Sequence, residues 1–215
     1  MKILVKIPSR NRPQKLLKLL KEYTESQTTK DVMYLVSLDD NDPTATYQLQ
    51  SKILSMAEDI IIHMGISKNK IAACNRDVYN YKNWDILILA SDDMEVQVVG
   101  WDKIIIDAMG KDTDQVLYYP DGYTNLNTMC ILGKKYYDRF GYIYHPDYIS
   151  LWCDNHFQEV AQRLGKEKRF TKVLFKHQHP MNIGSGNDDL YKRNEKYYHE
   201  DKKTFERYKR NNFGL

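Results

Sequence analysis

The most constraining feature of this sequence is an apolar run that stops without a spacer. Ile86, Leu87, Ile88, Leu89 and Ala90 are followed at once by Ser91, Asp92 and Asp93. A run with no polar alternation fits a strand buried on both faces, as parallel sheets require. Three nearly continuous runs precede it, at 3–7 (cut by Lys6), 32–38 and 60–62. Between them lie segments of helical period. "PQKLLKLLKEY" places Leu16, Leu17, Leu20 and Tyr23 on one face after Pro13, a good first-turn residue. Residues 44–56 follow, and then "KNKIAACNRDVYNY", with Ile71, Cys74 and Val78 on one face. Strand and helix alternating with short connections specify an α/β fold, a parallel sheet with helices on both faces.

In such a sheet, ligands bind beyond the carboxyl ends of the strands. Three loops reach that edge: "PSRNRP" (8–13), "LDDNDP" (38–43) and "SDDM" (91–94). All are polar and two are acidic. The second half is less regular. It reads as a helix over 100–110, then strands in "QVLYYPDG" and "TMCIL", the latter turning at Gly133 into "KKYYDRF". A Tyr-rich loop leads into a helix over 153–164, and "RFTKVLFKHQHP" reads as one last strand ending in His177 and His179. With no repeat, low-complexity segment or linker, the expectation is one domain over 1–185 and a charged helical extension over 186–215.

Composition closes off several classes. The three cysteines, Cys74, Cys130 and Cys153, are odd in number and far apart, which fits neither a disulfide framework nor a zinc ribbon. A reducing, cytoplasmic setting fits them best. No apolar run approaches the roughly 20 residues of a membrane span. The apolar stretch in "MKILVKIPSR" falls short of the about 7–15 residues of a secretion signal and reads as a first strand. The net charge of +3 is mild. The stretch "KRNEKYYHEDKKTFERYKRNN" is dense in both signs and reads as a solvated amphipathic helix, or else as a nucleic-acid anchor.

The loops carry the chemistry. Adjacent carboxylates repel unless a cation or donor compensates. Asp92 and Asp93 therefore suit Mg²⁺ or Mn²⁺, or else form a solvated turn. Asp39, Asp40 and Asp42 around Asn41 are turn formers, or acceptors for a nucleobase N–H. Arg10, Arg12, Lys68 and Lys70 suit phosphate. The first loop has no glycine, so neither a P-loop nor a dinucleotide fingerprint is present, which argues against ordinary kinases and dehydrogenases. His177 and His179 point the same way along a strand, and either one can complete a carboxylate metal site. Asp154, next to Trp152 at a helix start, is a cap or a general base.

Taken in order, "IPSRNRP", "VSLDDND", "GISKNKIAACN", "ILILASDDM", "WCDNHF" and "KHQHP" resemble the GT-A glycosyltransferases, in particular the small family 2-like nucleotide-sugar enzymes. The resemblance covers residues 1 to about 180 and implies a Rossmann-like, mostly parallel central sheet with helices on both faces. It implies transfer of a sugar from a nucleoside-diphosphate sugar, UDP most commonly, to an acceptor hydroxyl, a glycan first; a modified nucleic acid as acceptor, with the charged tail as its anchor, is a hybrid reading. Pro8, Ser9, Arg10 and Arg12 would line the nucleotide pocket, and Asp39 or Asp40 would take the base N–H. Lys70 and Asn75 would lie near the ribose and diphosphate. "SDDM" looks like the Asp-x-Asp motif, with Asp93 as the main ligand of Mn²⁺ or Mg²⁺ and Asp92 on sugar or ribose. Ser91 stands where the first Asp usually does. Asp154 matches the base of inverting members, with Cys153 in place of the usual Glu, and one of His177 and His179 would be a late metal ligand. Trp152 and Tyr123 are candidates for the acceptor side. A sugar-phosphate nucleotidyltransferase and a nucleic-acid-binding module are the competing classes; the first normally needs a glycine-rich first loop.

Overall fold

The apolar runs become the strands of one mixed sheet in the computed structural model, which describes residues 1–178 and 189–215. Strands β1 (Ile3–Ser9), β2 (Val32–Asp39), β3 (Ile60–Gly65) and β4 (Ile86–Leu89) are parallel, in the order β3-β2-β1-β4. β7 (Ile131–Gly133) continues the sheet antiparallel to β4, followed by β6 (Val116–Tyr118) and β8 (Glu167–Arg169).

Period-two geometry explains the unbroken run in β4. Ile86 and Ile88 enter one core layer with Leu16, Leu20 and Trp101, while Leu87 and Leu89 enter the other with Tyr136 and Phe157. Both faces are packed, so no position tolerates a polar residue. Helix α1 (Pro13–Ser26) begins at its proline and buries Leu16, Leu17, Leu20 and Tyr23 on the first layer. α4 (Trp101–Met109) lies on the same layer through Trp101, Ile105 and Met109. Helices α5 (Lys134–Phe140), α6 (Cys153–Arg163) and α8 (Tyr198–Arg210) cover the second layer through Tyr136, Phe157 and Phe205. A further helix, α7 (Asp189–Glu195), precedes α8. Among the described residues, no helix is long and apolar enough to cross a membrane.

Three local expectations need correction. The helix expected over 44–56 is α2, Tyr47–Leu54, because Thr46 caps it by accepting from the Leu49 amide. The helix expected after Asn69 is only α3, Lys70–Asn75; Asp77, at φ 71°, breaks it before a single 3-10 turn, Val78–Asn80. Asp77 is drawn inward there, accepting from Ser37 Oγ (2.6 Å) and pairing with Arg76 Nε (3.2 Å). Buried Lys6 joins the same group, its pKa lowered by burial to about 8. The expected last strand is two strands. β8 ends at Arg169, Phe170 stacks on Tyr119 with ring centroids 4.7 Å apart, and buried Leu174 leads into β9 (Phe175–His177). β9 pairs antiparallel with β5 (Met94–Val96) in a separate ribbon that sets Met94 opposite His177.

Candidate active site

The site forms where the polar loops after β1, β2 and β4 meet the β5–β9 ribbon. Ala90 is fully buried, and Asp92 and Asp93 follow it at 9% and 8% exposure. The two carboxylates have different partners. Asp92 accepts from Ser9 Oγ (3.1 Å) and from Arg12 Nη1 (2.9 Å), so it ties the first loop to the end of β4. Burial pushes its pKa up, Arg12 opposes this, and the neighbouring Asp93 adds to it.

Asp93 faces the ribbon. Its Oδ1 lies 3.5 Å from His177 Nε2, and its backbone carbonyl accepts from the Gln178 amide (2.8 Å). The other ring nitrogen, His177 Nδ1, lies 3.7 Å from Asp121 Oδ2. Asp121 is 2% exposed. It accepts from the amides of Tyr123 (2.9 Å) and Thr124 (2.8 Å) and from the hydroxyls of Thr124 (3.1 Å) and Thr128 (3.0 Å). Burial works against charge on both groups, yet His177 and these donors hold Asp121 well below the usual carboxylate range. Burial also lowers the pKa of His177, but Asp121 and Asp93 outweigh it and lift the imidazole to about 9.

The donor set fits a hard divalent ion. A carboxylate oxygen and an imidazole nitrogen 3.5 Å apart can share one ion. A carboxylate behind the imidazole is the usual support for a metal-binding histidine, fixing its tautomer and ring orientation. Among the described residues, no three His, Cys, Asp or Glu side chains form a set able to hold an ion alone. Asp93 and His177 would therefore share it with phosphate oxygens and water, as Mg²⁺ commonly is. Asp121→Asn should weaken metal binding about 10–100-fold, the usual cost of losing such a support. Titrating Mn²⁺ into wild type and variant checks this, and equal affinities would exclude the role.

Asp154 lies in the first turn of α6 and accepts from the Asn155 amide (2.9 Å). Burial raises its pKa, Lys70 pulls it down, and His177 acts in the same direction as Lys70. At the start of α3, burial lowers the pKa of Lys70, but Cys153, Cys74 and, less strongly, the carboxylates of Asp154 and Asp93 outweigh it and raise it. Residues far apart in sequence thus share one electrostatic neighbourhood.

The remaining candidates are placed as follows. Asp39 accepts from Arg10 Nη1 (2.7 Å) and from the Ser67 amide (3.1 Å), with Arg76 Nη1 at 3.5 Å, whereas Asp40 is exposed. Asp42 takes the Asn11 amide (2.8 Å), lacing the second loop to the first. Pro8 stands opposite Ser37 in the β1–β2 register. The Ser91 carbonyl takes the Met94 amide (3.0 Å), which turns the chain into β5. The Asn75 amide is committed to loop backbone: it donates to Tyr144 O (2.7 Å) and accepts from the amides of Ile143 and Tyr144 (3.0 Å each). The Trp152 ring packs against Phe205 and Tyr198 (centroids 5.2 and 5.6 Å), with the Lys202 ammonium 5.6 Å from it. Tyr123 is 41% exposed, under the Lys176 ammonium at 5.4 Å. His179 lies outside the described residues. Sequence reasoning missed Asp121, because "PDG" reads as a plain turn and only the ribbon brings it to His177.

No family model matches this chain, and no curated protein matches it. Solved structures do. A mannosyltransferase from Pyrobaculum calidifontis, in complex with GDP-Man and Mn²⁺, matches at TM-score 0.67 and 11% identity, over 82% of this chain and 56% of that one. S. aureus TarS 1-349 in complex with UDP-GlcNAc matches at 0.64 and 13%, over 88% and 60%. Glucosyl-3-phosphoglycerate synthase from Mycobacterium tuberculosis, with Mg²⁺ and UDP, matches at 0.58 and 10%, over 85% and 73%. The chain spans little more than half the length of the first of these. At such identities the likeness is one of fold: the chain has the GT-A fold of the nucleotide-sugar glycosyltransferases.

Proposed function

We propose that this protein is a divalent-metal-dependent glycosyltransferase. It moves a sugar from a nucleoside-diphosphate sugar, UDP being the first choice of nucleotide, to an acceptor hydroxyl with inversion. The observation that carries this reading is the line Asp93–His177–Asp121 beside Lys70 and Asp154 at the carboxyl edge of the sheet. Asp93 and His177 would hold Mn²⁺ or Mg²⁺, which when bound neutralises charge on the diphosphate.

The chain's own residues do the rest. Lys70 offers a cation to the departing diphosphate, whose negative charge grows as the glycosidic bond breaks. Asp154 takes the proton of the attacking hydroxyl, and its raised pKa makes it a stronger base than an exposed aspartate. Arg10 and Arg12 sit at the nucleotide end, each already oriented by a carboxylate. Asp40, the exposed member of its pair, is the better placed acceptor for a base N–H. Three buried free cysteines fit a reducing, cytoplasmic setting.

The test is a panel of nucleotide sugars with Mn²⁺ and hydroxyl acceptors, read as released nucleoside diphosphate. Release with a subset of donors is expected. Pyrophosphate release from a nucleoside triphosphate and a sugar phosphate would replace this reading with nucleotidyl transfer. Tight, salt-sensitive nucleic-acid binding without turnover would replace it with a binding module.

A further inference from the structure

The helix carrying the chain's most charged stretch also holds one fully buried acid. Asp201 lies in the first turn of α8 and is 0% exposed. Its carboxylate accepts from three consecutive backbone amides of another segment: Ile149 (2.9 Å) to Oδ1, and Ser150 (2.8 Å) and Leu151 (2.7 Å) to Oδ2. Successive amides aimed at one point form an anion-binding concavity. Here the anion is supplied by the chain itself.

The residue after that concavity is strained. Trp152 has φ 61°, a left-handed conformation that is a genuine outlier for a bulky side chain. Such a conformation is costly and persists only when its surroundings over-determine it. Two contacts from α8 do so: the Asp201 bonds on one side, and Tyr198 and Phe205 against the indole on the other. Trp152 is also the residue from which α6 starts, and its carbonyl accepts the His156 amide (3.0 Å). Asp154 is two residues further on. The direction of the first turn of α6, and with it the reach of the Asp154 carboxylate, is therefore set by α8.

We infer that Asp201 is a positioning residue for the transfer reaction: by binding the amides of 149–151 it holds the strained Trp152 turn and so aims Asp154. The inference rests on the glycosyltransferase reading. It assigns α8 a part in the chemistry although α8 contributes no group to the reacting atoms.

The experiment compares wild type with Asp201→Asn, which keeps the size of the side chain but removes its charge and one acceptor. Amide hydrogen exchange should quicken at least tenfold across 149–154 and stay unchanged in β1 and β4. The melting shift with UDP or GDP plus Mn²⁺ should persist, because the donor loops lie elsewhere. With whichever nucleotide sugar the wild type turns over, kcat should fall at least tenfold while the donor KM stays within twofold. Unchanged exchange would overturn the inference, and so would faster exchange with wild-type kcat. If Asp201→Asn does not fold, Asp201→Glu, which keeps the charge but displaces the amides, should give the same split; wild-type kcat there would overturn it equally. Absence of turnover by the wild type itself would sink the glycosyltransferase reading, a result distinct from turnover that Asp201→Asn retains.

Discussion

Alanine at Asp93 is expected to abolish the metal-dependent stabilisation of this protein by a nucleoside diphosphate. For the wild type, ligand at a hundred times its Kd adds about 2.7 kcal/mol. In a domain of this size each kcal/mol moves the melting point by about 2–4 °C, so the shift should be roughly 5–10 °C. It should appear with Mn²⁺ or Mg²⁺ and vanish with chelator. In Asp93→Ala neither UDP nor GDP should move the melt in either condition, and a wild-type shift would place the ion elsewhere. The metal-free proteins provide a second readout. His177 titrates at about 9 in the fold, above the roughly 6.5 of an unfolded histidine. Its proton therefore stabilises the fold fully below about pH 6.5, and that contribution is lost as the pH rises through about 9. Removing Asp93, one of the two carboxylates that raise this pKa, should cost most stability near pH 6 and least near pH 9.5. A deficit that grows with pH would contradict the Asp93–His177 pairing.

Asp154→Asn should separate binding from chemistry. The substitution keeps the shape of the side chain and its place in the first turn of α6, so the nucleotide-dependent melting shift should match the wild type. Turnover should fall by about 10²–10⁴-fold, the usual range for losing a positioned general base. Steady-state rates with the best donor, set beside the thermal shift, check both halves. Full activity would remove Asp154 from the mechanism, whereas loss of the nucleotide shift would show that it holds the donor.

What could be read in the sequence was whatever depends on neighbours along the chain. The unbroken run of β4 and the nearly continuous ones of β1 and β2 announce burial on both faces, and Pro13 with the leucines after it announces α1. Asp92 and Asp93 could be singled out because their strand fixes where they emerge. What could not be read depends on partners distant in sequence. β5, β8 and β9 are three residues each, too short to show a period, and pairing alone defines them. Asp77, where α3 breaks, is held by Ser37 and faces Lys6, both distant in sequence, which no local rule supplies. Asp121 and Asp201 look like a turn former and an ordinary first-turn acid until His177 and the 149–151 amides, 50 to 56 positions away, are in place. Asn75 shows the converse: its segment is one of those carrying the resemblance that would place it near the ribose, yet its amide is committed to the 143–144 backbone.

The β5–β9 ribbon also divides the chain into two economies. Its strands clasp the neck of one long excursion, residues 97–174, and at that neck Asp93 stands next to Met94, the partner of His177. The residues assigned to the donor nucleotide all come before the clasp, and Tyr123, Trp152 and Asp154 all lie within the excursion. The excursion also supplies β6, β7 and β8 to the central sheet, so only its connecting loops are free to change; closure costs grow slowly with loop length, and those loops can lengthen at small cost while the clasp keeps both ends fixed. Under the proposed function, the acceptor side can therefore vary in its loops without any change to the residues assigned to the donor.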